Sequence, residues 1–100
     1  MINIEIINNK TIKVKGHANY AEYGADIVCA SVSTAVYMSV NQIEVFDKSY
    51  CINTKIVEGN ACIEVVCEDE IVSKVLSNLI FTLRDLELQY PKYIKINEKI

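Results

Sequence analysis

Ile2-Asn3-Ile4-Glu5-Ile6-Ile7-Asn8-Asn9-Lys10-Thr11-Ile12-Lys13-Val14-Lys15 alternates apolar and polar residues on both sides of an Asn-Asn pair. Period-two alternation places the isoleucines and valines on one face of a pleated ribbon. Asn tolerates positive φ, so residues 2–7 and 10–15 read as two strands joined by a tight turn at Asn8-Asn9. The period then changes. From about Ile27 to Phe46, Val28, Val32, Val36, Val40 and Ile43 recur at helical spacing, with Asp26 placed as N-cap. Residues 50–57 and 61–67 are β-rich and flank Glu58-Gly59-Asn60, a second hairpin signal. A second helix over about 70–89 carries Val72, Val75, Leu76, Leu79, Leu83 and Leu86 on one face, with Glu68 or Asp69 as cap. Pro91 ends it, and residues 93–98 alternate again as a last strand. The order is ββαββαβ. It predicts an α+β domain spanning 1–100, with two helices packed on one face of a mainly antiparallel sheet.

Composition narrows the function classes. The chain has 100 residues, 51% of them hydrophobic, which is high for so small a domain and points to apolar surface buried against a partner, most simply a second copy. The formal net charge of −3 leaves no basic footprint for direct nucleic-acid binding. No apolar run approaches the roughly 18 residues that span a bilayer, and residues 1–7 lack a basic leader. The expected compartment is cytoplasmic. Cys29, Cys51, Cys62 and Cys67 are then expected as reduced thiols, the last three as packing residues in strands. Without a C-x-x-C pair, and with one His, the spacing builds no zinc site, and no metal or cofactor is expected.

Chemistry concentrates between Gly16 and Ser33. This stretch holds His17, the single histidine, and Cys29, expected at about the third position of the helix that Asp26 caps. Unpaired amides and the positive end of the helix dipole favour a thiolate there, and an imidazolium stabilises it further. The same amides are natural oxyanion donors. Asp26, Cys29 and Ser33 fall at i, i+3 and i+7, hence on one face. Asp26 is a cap, an orienter of His17, or both. Ser33 hydrogen-bonds the thiolate or substrate, or bonds back to a carbonyl as helical serines often do. Cys29 also has a plain reading as a small buried apolar residue. Tyr20 and Tyr23 either line a groove or pack onto the domain.

The pattern Gly16-His17-Ala18, Gly24, Asp26, Ile27-Val28, Cys29-Ala30 and Ser33 resembles the signature of the ribosomal-processing cysteine proteases, the Prp family. The length, the element order and Gln89-Tyr90-Pro91 before a last strand are similar too. Asn19 and Ser31 stand where smaller residues are expected. The resemblance implies a homodimeric endopeptidase with a Cys–His dyad. Such enzymes remove the N-terminal extension of large-subunit ribosomal protein twenty-seven, cutting between a motif with paired phenylalanines and an alanine. It implies Cys29 as nucleophile, His17 as base, and Asp26 and Ser33 in support. Residues 16–25, with Gly16, Ala18, Tyr20, Tyr23 and Gly24, become a substrate-gating loop. Two other classes fit the same residues: a non-catalytic dimeric ribosome-assembly module and a thiol redox protein. An activated Cys29 thiol separates the protease from the first, and the lack of a Cys near it in sequence speaks against the second.

Overall fold

The computed structural model describes residues 1–16, 23–57 and 59–99; for 23–26 the description covers the backbone only. Strands β1 (Ile2–Ile7) and β2 (Thr11–Lys15) form the expected hairpin. Asn8 and Asn9 take φ of 53° and 56°, and the Lys10 amide donates to the Ile7 carbonyl at 2.9 Å. Helix α1 (Tyr23–Val45) follows, then a 3-10 turn at Ser49–Cys51, β3 (Ile52–Val57), β4 (Asn60–Val65), α2 (Glu70–Gln89) and β5 (Ile94–Lys99). The sheet order is β3-β4-β2-β1-β5. All neighbours are antiparallel except β1 and β5, which run parallel from Ile2 opposite Ile94 to Ile7 opposite Lys99.

One face of the sheet carries the core. Ile4 pairs with Val14, Ile6 with Ile12, and Ile12 with Ile63, so their side chains share that face. Ile2, Ile4, Ile6, Ile12, Ile63 and Ile94 are all buried. Helix α1 covers them with Val28, Val32, Val36 and Ile43, and α2 with Val72, Val75, Leu76, Leu79, Ile80 and Leu83. Val40 and Leu86 pack at the margin of this cluster. The opposite face is polar: Glu5 and Lys13 are cross-strand partners, and Lys99 reaches Glu5 at 3.1 Å.

The ends of α2 follow from side-chain chemistry. Asp69 accepts hydrogen bonds from the Ile71 and Val72 amides and pairs with Lys48 at 2.9 Å. Edge strand β5 is tied down by the same helix. The Glu87 carboxylate accepts the Ile96 amide at 2.7 Å, and Arg84 pairs with Glu98.

Three expectations need correction. Helix α1 begins at Tyr23, not Ile27, so Asp26 is not its N-cap. Burial of Val28, Val32 and Val36 anchors the helix, and adding a turn to an existing helix costs little. Second, Cys51 and Cys67 are joined by a disulfide and are not reduced thiols. They are 16 positions apart, and only the antiparallel pairing of β3 with β4 brings them together. Third, of the three packing cysteines only Cys62 lies in a strand; Cys51 ends the 3-10 turn and Cys67 follows β4.

Candidate active site

Gly16 closes β2 in a conformation that the sequence around it explains. Its φ is +99°, a region that L side chains avoid, and a Cβ built there would lie 2.6 Å from the Met1 carbonyl oxygen. Its amide donates to the Gly59 carbonyl at 3.0 Å. The chain entering His17 is therefore fixed by the tip of the β3–β4 hairpin on one side and by the start of β1 on the other.

Gly16 lines a cleft of about 340 Å³. Its walls come from three parts of the fold. Helix α1 supplies Cys29, Ser33 and Tyr37, strands β1 and β2 supply Ile2 and Val14, and the hairpin tip supplies Ile56, Val57, Gly59 and Asn60. Cys29 is half-buried and outside any disulfide. Ser33 is exposed, as is Tyr37, half of whose surface is open at 51%. Spacing along α1 accounts for the wall: positions 29, 33 and 37 recur by four, and Val32 and Val36 beside them anchor the helix in the core. Aliphatic side chains alternate there with polar points: the Cys29 thiol, the Ser33 and Tyr37 hydroxyls, Asn60 and backbone groups. Such a concave site suits an extended ligand carrying apolar side chains.

The expected site residues divide into three groups. The fold brings Gly16, Cys29 and Ser33 to one cleft. His17, Ala18 and Tyr20 lie outside the described residues. Tyr23, Gly24 and Asp26 are helical, so the segment 16–25 is not a loop throughout. Counting from Tyr23, Cys29 is the seventh residue of α1 and sits in its second turn. The unpaired end amides of a helix are its first four, so the amides around Cys29 are not the oxyanion donors the first-turn placement required. The dipole also weakens beyond the first turn, so the helix supports a thiolate at Cys29 less than expected. Ser31 and Ser39 bond back to the Ile27 and Ala35 carbonyls at 2.8 and 2.9 Å. The hairpin tip and Tyr37 were not anticipated at the site. Glu58-Gly59-Asn60 reads locally as a turn, and nothing near it in sequence points across the sheet to Cys29.

The family described as cysteine protease Prp matches residues 1–95. The chain belongs to the Prp family. It is a cysteine protease. Among its relatives, the ribosomal processing cysteine protease Prp of Mycoplasma genitalium is 34% identical over 99 residues, covering 99% of this chain and 97% of the relative. The Staphylococcus aureus Prp is 33% identical over 110 residues, covering 99% and 100%. Two crystal structures of S. aureus Prp superpose over 99% of this chain and 100% of theirs. The complex with a substrate peptide gives a TM-score of 0.87 at 28% identity. The complex with a covalently linked product peptide gives 0.86 at 29%. Prp membership decides against the binding-module and redox readings of the same residues. It also agrees with the α+β fold expected from periodicity.

Proposed function

We propose that this chain is an endopeptidase that removes the N-terminal extension of large-subunit ribosomal protein twenty-seven, with Cys29 as nucleophile and His17 as general base. The observation that carries this reading is the shared cleft. Cys29 and Ser33 form one wall, and Gly16, bonded directly to His17 in the chain, forms another. The S. aureus relative binds a substrate peptide and holds a covalently linked product peptide, as a thiol nucleophile would. The apolar walls at Val14, Val32, Ile56 and Val57 suit the paired phenylalanines expected before the scissile bond.

In this reading the Cys29 thiolate attacks the scissile carbonyl carbon, and protonated His17 gives its proton to the departing amine. Neutral His17 then takes a proton from water, which opens the thioester and releases the acyl product. Asp26, one turn before Cys29, orients His17, and Ser33 hydrogen-bonds substrate from the next turn. Ala18, Tyr20, Tyr23 and Gly24 complete the substrate side. The enzyme acts in the cytoplasm, without a metal or cofactor, as a homodimer. Exposed Met38, Val45, Phe81 and Leu88 on the two helices offer apolar surface for that contact.

The test is incubation with a peptide spanning the extension, followed by mass spectrometry. One cut after the paired phenylalanines is expected, abolished in Cys29→Ala and reduced at least a hundred-fold in His17→Ala (an order-of-magnitude figure for a lost acid–base group). Persistent cleavage by Cys29→Ala, or an intact peptide with the unsubstituted enzyme, refutes the assignment. Light scattering at micromolar concentration should give about twice the 11.3 kDa chain mass.

A further inference from the structure

The disulfide lies away from the Cys29 cleft. Cys51 and Cys67 flank the open end of the β3–β4 hairpin, beside the Ile52–Val65 pair, whereas the cleft is lined by its tip at Val57 and Gly59. The two ends are separated by roughly 20 Å of extended chain. The ring that the bond closes contains the whole hairpin. Strand β3 is an edge strand paired only with β4, so the hairpin joins the rest of the sheet through the β4–β2 ladder and the Gly16–Gly59 and Val65–Lys10 backbone bonds that extend it. A cross-link at its base therefore restrains one edge of the sheet.

The two residues differ in exposure. Cys51 is 1% exposed. Cys67 is half-buried and lines a surface cleft of about 320 Å³ with Asn9, Lys10, Glu68 and Asp69, room for a small thiol to approach from one side. Contacts that involve no sulfur hold the two residues in register. The Val66 amide donates to the Cys51 carbonyl at 2.8 Å, and Lys48 pairs with Asp69 at 2.9 Å. Neither contact uses a sulfur atom, so neither depends chemically on the bond.

We propose that Cys51 and Cys67 form a reversible thiol–disulfide site, separate from Cys29. It is closed by a low-molecular-weight disulfide such as oxidised glutathione, is opened by the matching thiol, and braces the hairpin when closed. In closure, the Cys67 thiolate attacks one sulfur of oxidised glutathione and releases one glutathione. The Cys51 thiolate then attacks the Cys67 sulfur of that mixed disulfide and releases the second. Two protein thiols are oxidised, one glutathione disulfide is reduced, and the two thiol protons end on the released glutathione. In a reducing compartment such a bond is typically transient and responsive, which suits a pair of which one residue lines a surface cleft.

Cys29→Ser protein, which lacks the competing nucleophile, is equilibrated in glutathione buffers of graded reduced-to-oxidised ratio. Remaining thiols are alkylated at low pH, and linked peptides are mapped by tandem mass spectrometry. The Cys51–Cys67 link should rise as the buffer becomes oxidising, while Cys62 stays open to alkylation. Closing a ring of this length should lower the unfolding equilibrium constant roughly a hundred-fold at 25 °C. The thermal midpoint should rise on the order of 10 °C. Cys67→Ser added to this background should abolish the rise. The comparison of oxidised with reduced protein needs no such variant and stands if it fails to fold. Absence of the link at every ratio in folded protein overturns the proposal. So does a Cys62–Cys67 link in its place, or a link that leaves the midpoint unchanged.

Discussion

Replacing Gly16 by alanine tests whether the entry to His17 is held as described. Two costs combine. A φ of +99° lies outside the regions where an L residue is comfortable, and holding alanine there costs about 1–3 kcal/mol. The added Cβ also meets the Met1 carbonyl oxygen at 2.6 Å, too close for contact. That oxygen cannot retreat easily, because the next residue, Ile2, is buried and its amide donates to the Tyr93 carbonyl at 2.8 Å. The sum is about 2–4 kcal/mol, less than the whole stability of an ordinary domain, so the variant should fold. Urea unfolding followed by circular dichroism should show a lower midpoint with an unchanged slope. Cleavage of the extension peptide should fall at least ten-fold under conditions where the variant is fully folded, since the displaced residue adjoins His17. Gly59→Ala makes the comparison: its φ of 75° is close to the left-handed region, so it should cost only about 1–2 kcal/mol, and Gly59→Asn should recover part of that. A Gly16→Ala loss below about 0.5 kcal/mol, within the range of ordinary surface changes, would refute the argument from close approach.

Other outcomes follow from the same structure. Leu83→Ala removes a side chain with no exposed surface and should cost about 2–5 kcal/mol by urea unfolding. Lys48, through its hydrogen bond, holds the Asp69 carboxyl below its ordinary value of 3.8, with the Val72 amide assisting. The sign is that of a depressed acid: the stabilisation is complete above the ordinary value and is lost as pH falls through the lower, folded one. Urea midpoints measured from pH 6 to pH 2 should therefore drop at the acid end for the native chain and drop less for Asp69→Asn. At neutral pH without reductant, iodoacetamide should modify Cys29 before Cys62, leave Cys51 and Cys67 unmodified, and act more slowly on Cys29 in His17→Ala. Equal rates at Cys29 and Cys62 in folded protein would count against an activated thiol. Ser33→Ala should raise KM for the extension peptide several-fold with a smaller effect on stability, its side chain being exposed.

The sequence by itself determined whatever depends on neighbours along the chain. Alternation in residues 2–15 set which isoleucines face the core. Asn8-Asn9 set the turn, Glu68-Asp69 the start of α2 to within one residue, and Pro91 its end, because periodicity, φ preference and capping act within a few residues. The Cys29–Ser33 face was legible for the same reason, since four residues make one helical turn. The Gly-His-Ala and Asp-x-x-Cys-Ala spacing carried the family. The start of α1 was not legible. Tyr23-Gly24-Ala25-Asp26 has no apolar period of its own, and its helix is paid for by Val28, Val32 and Val36 in the core. Only the tertiary structure decided which distant segments meet. The parallel pairing of β5 with β1 brought Tyr93 to Ile2 and so fixed the Met1 carbonyl against Gly16. The β4–β2 ladder carried Gly59 to Gly16 and the hairpin tip to Cys29, and the β3–β4 ladder closed Cys51 onto Cys67. Each of these contacts depends on strand order and register, which are set by burying one continuous apolar face rather than by any residue's near neighbours.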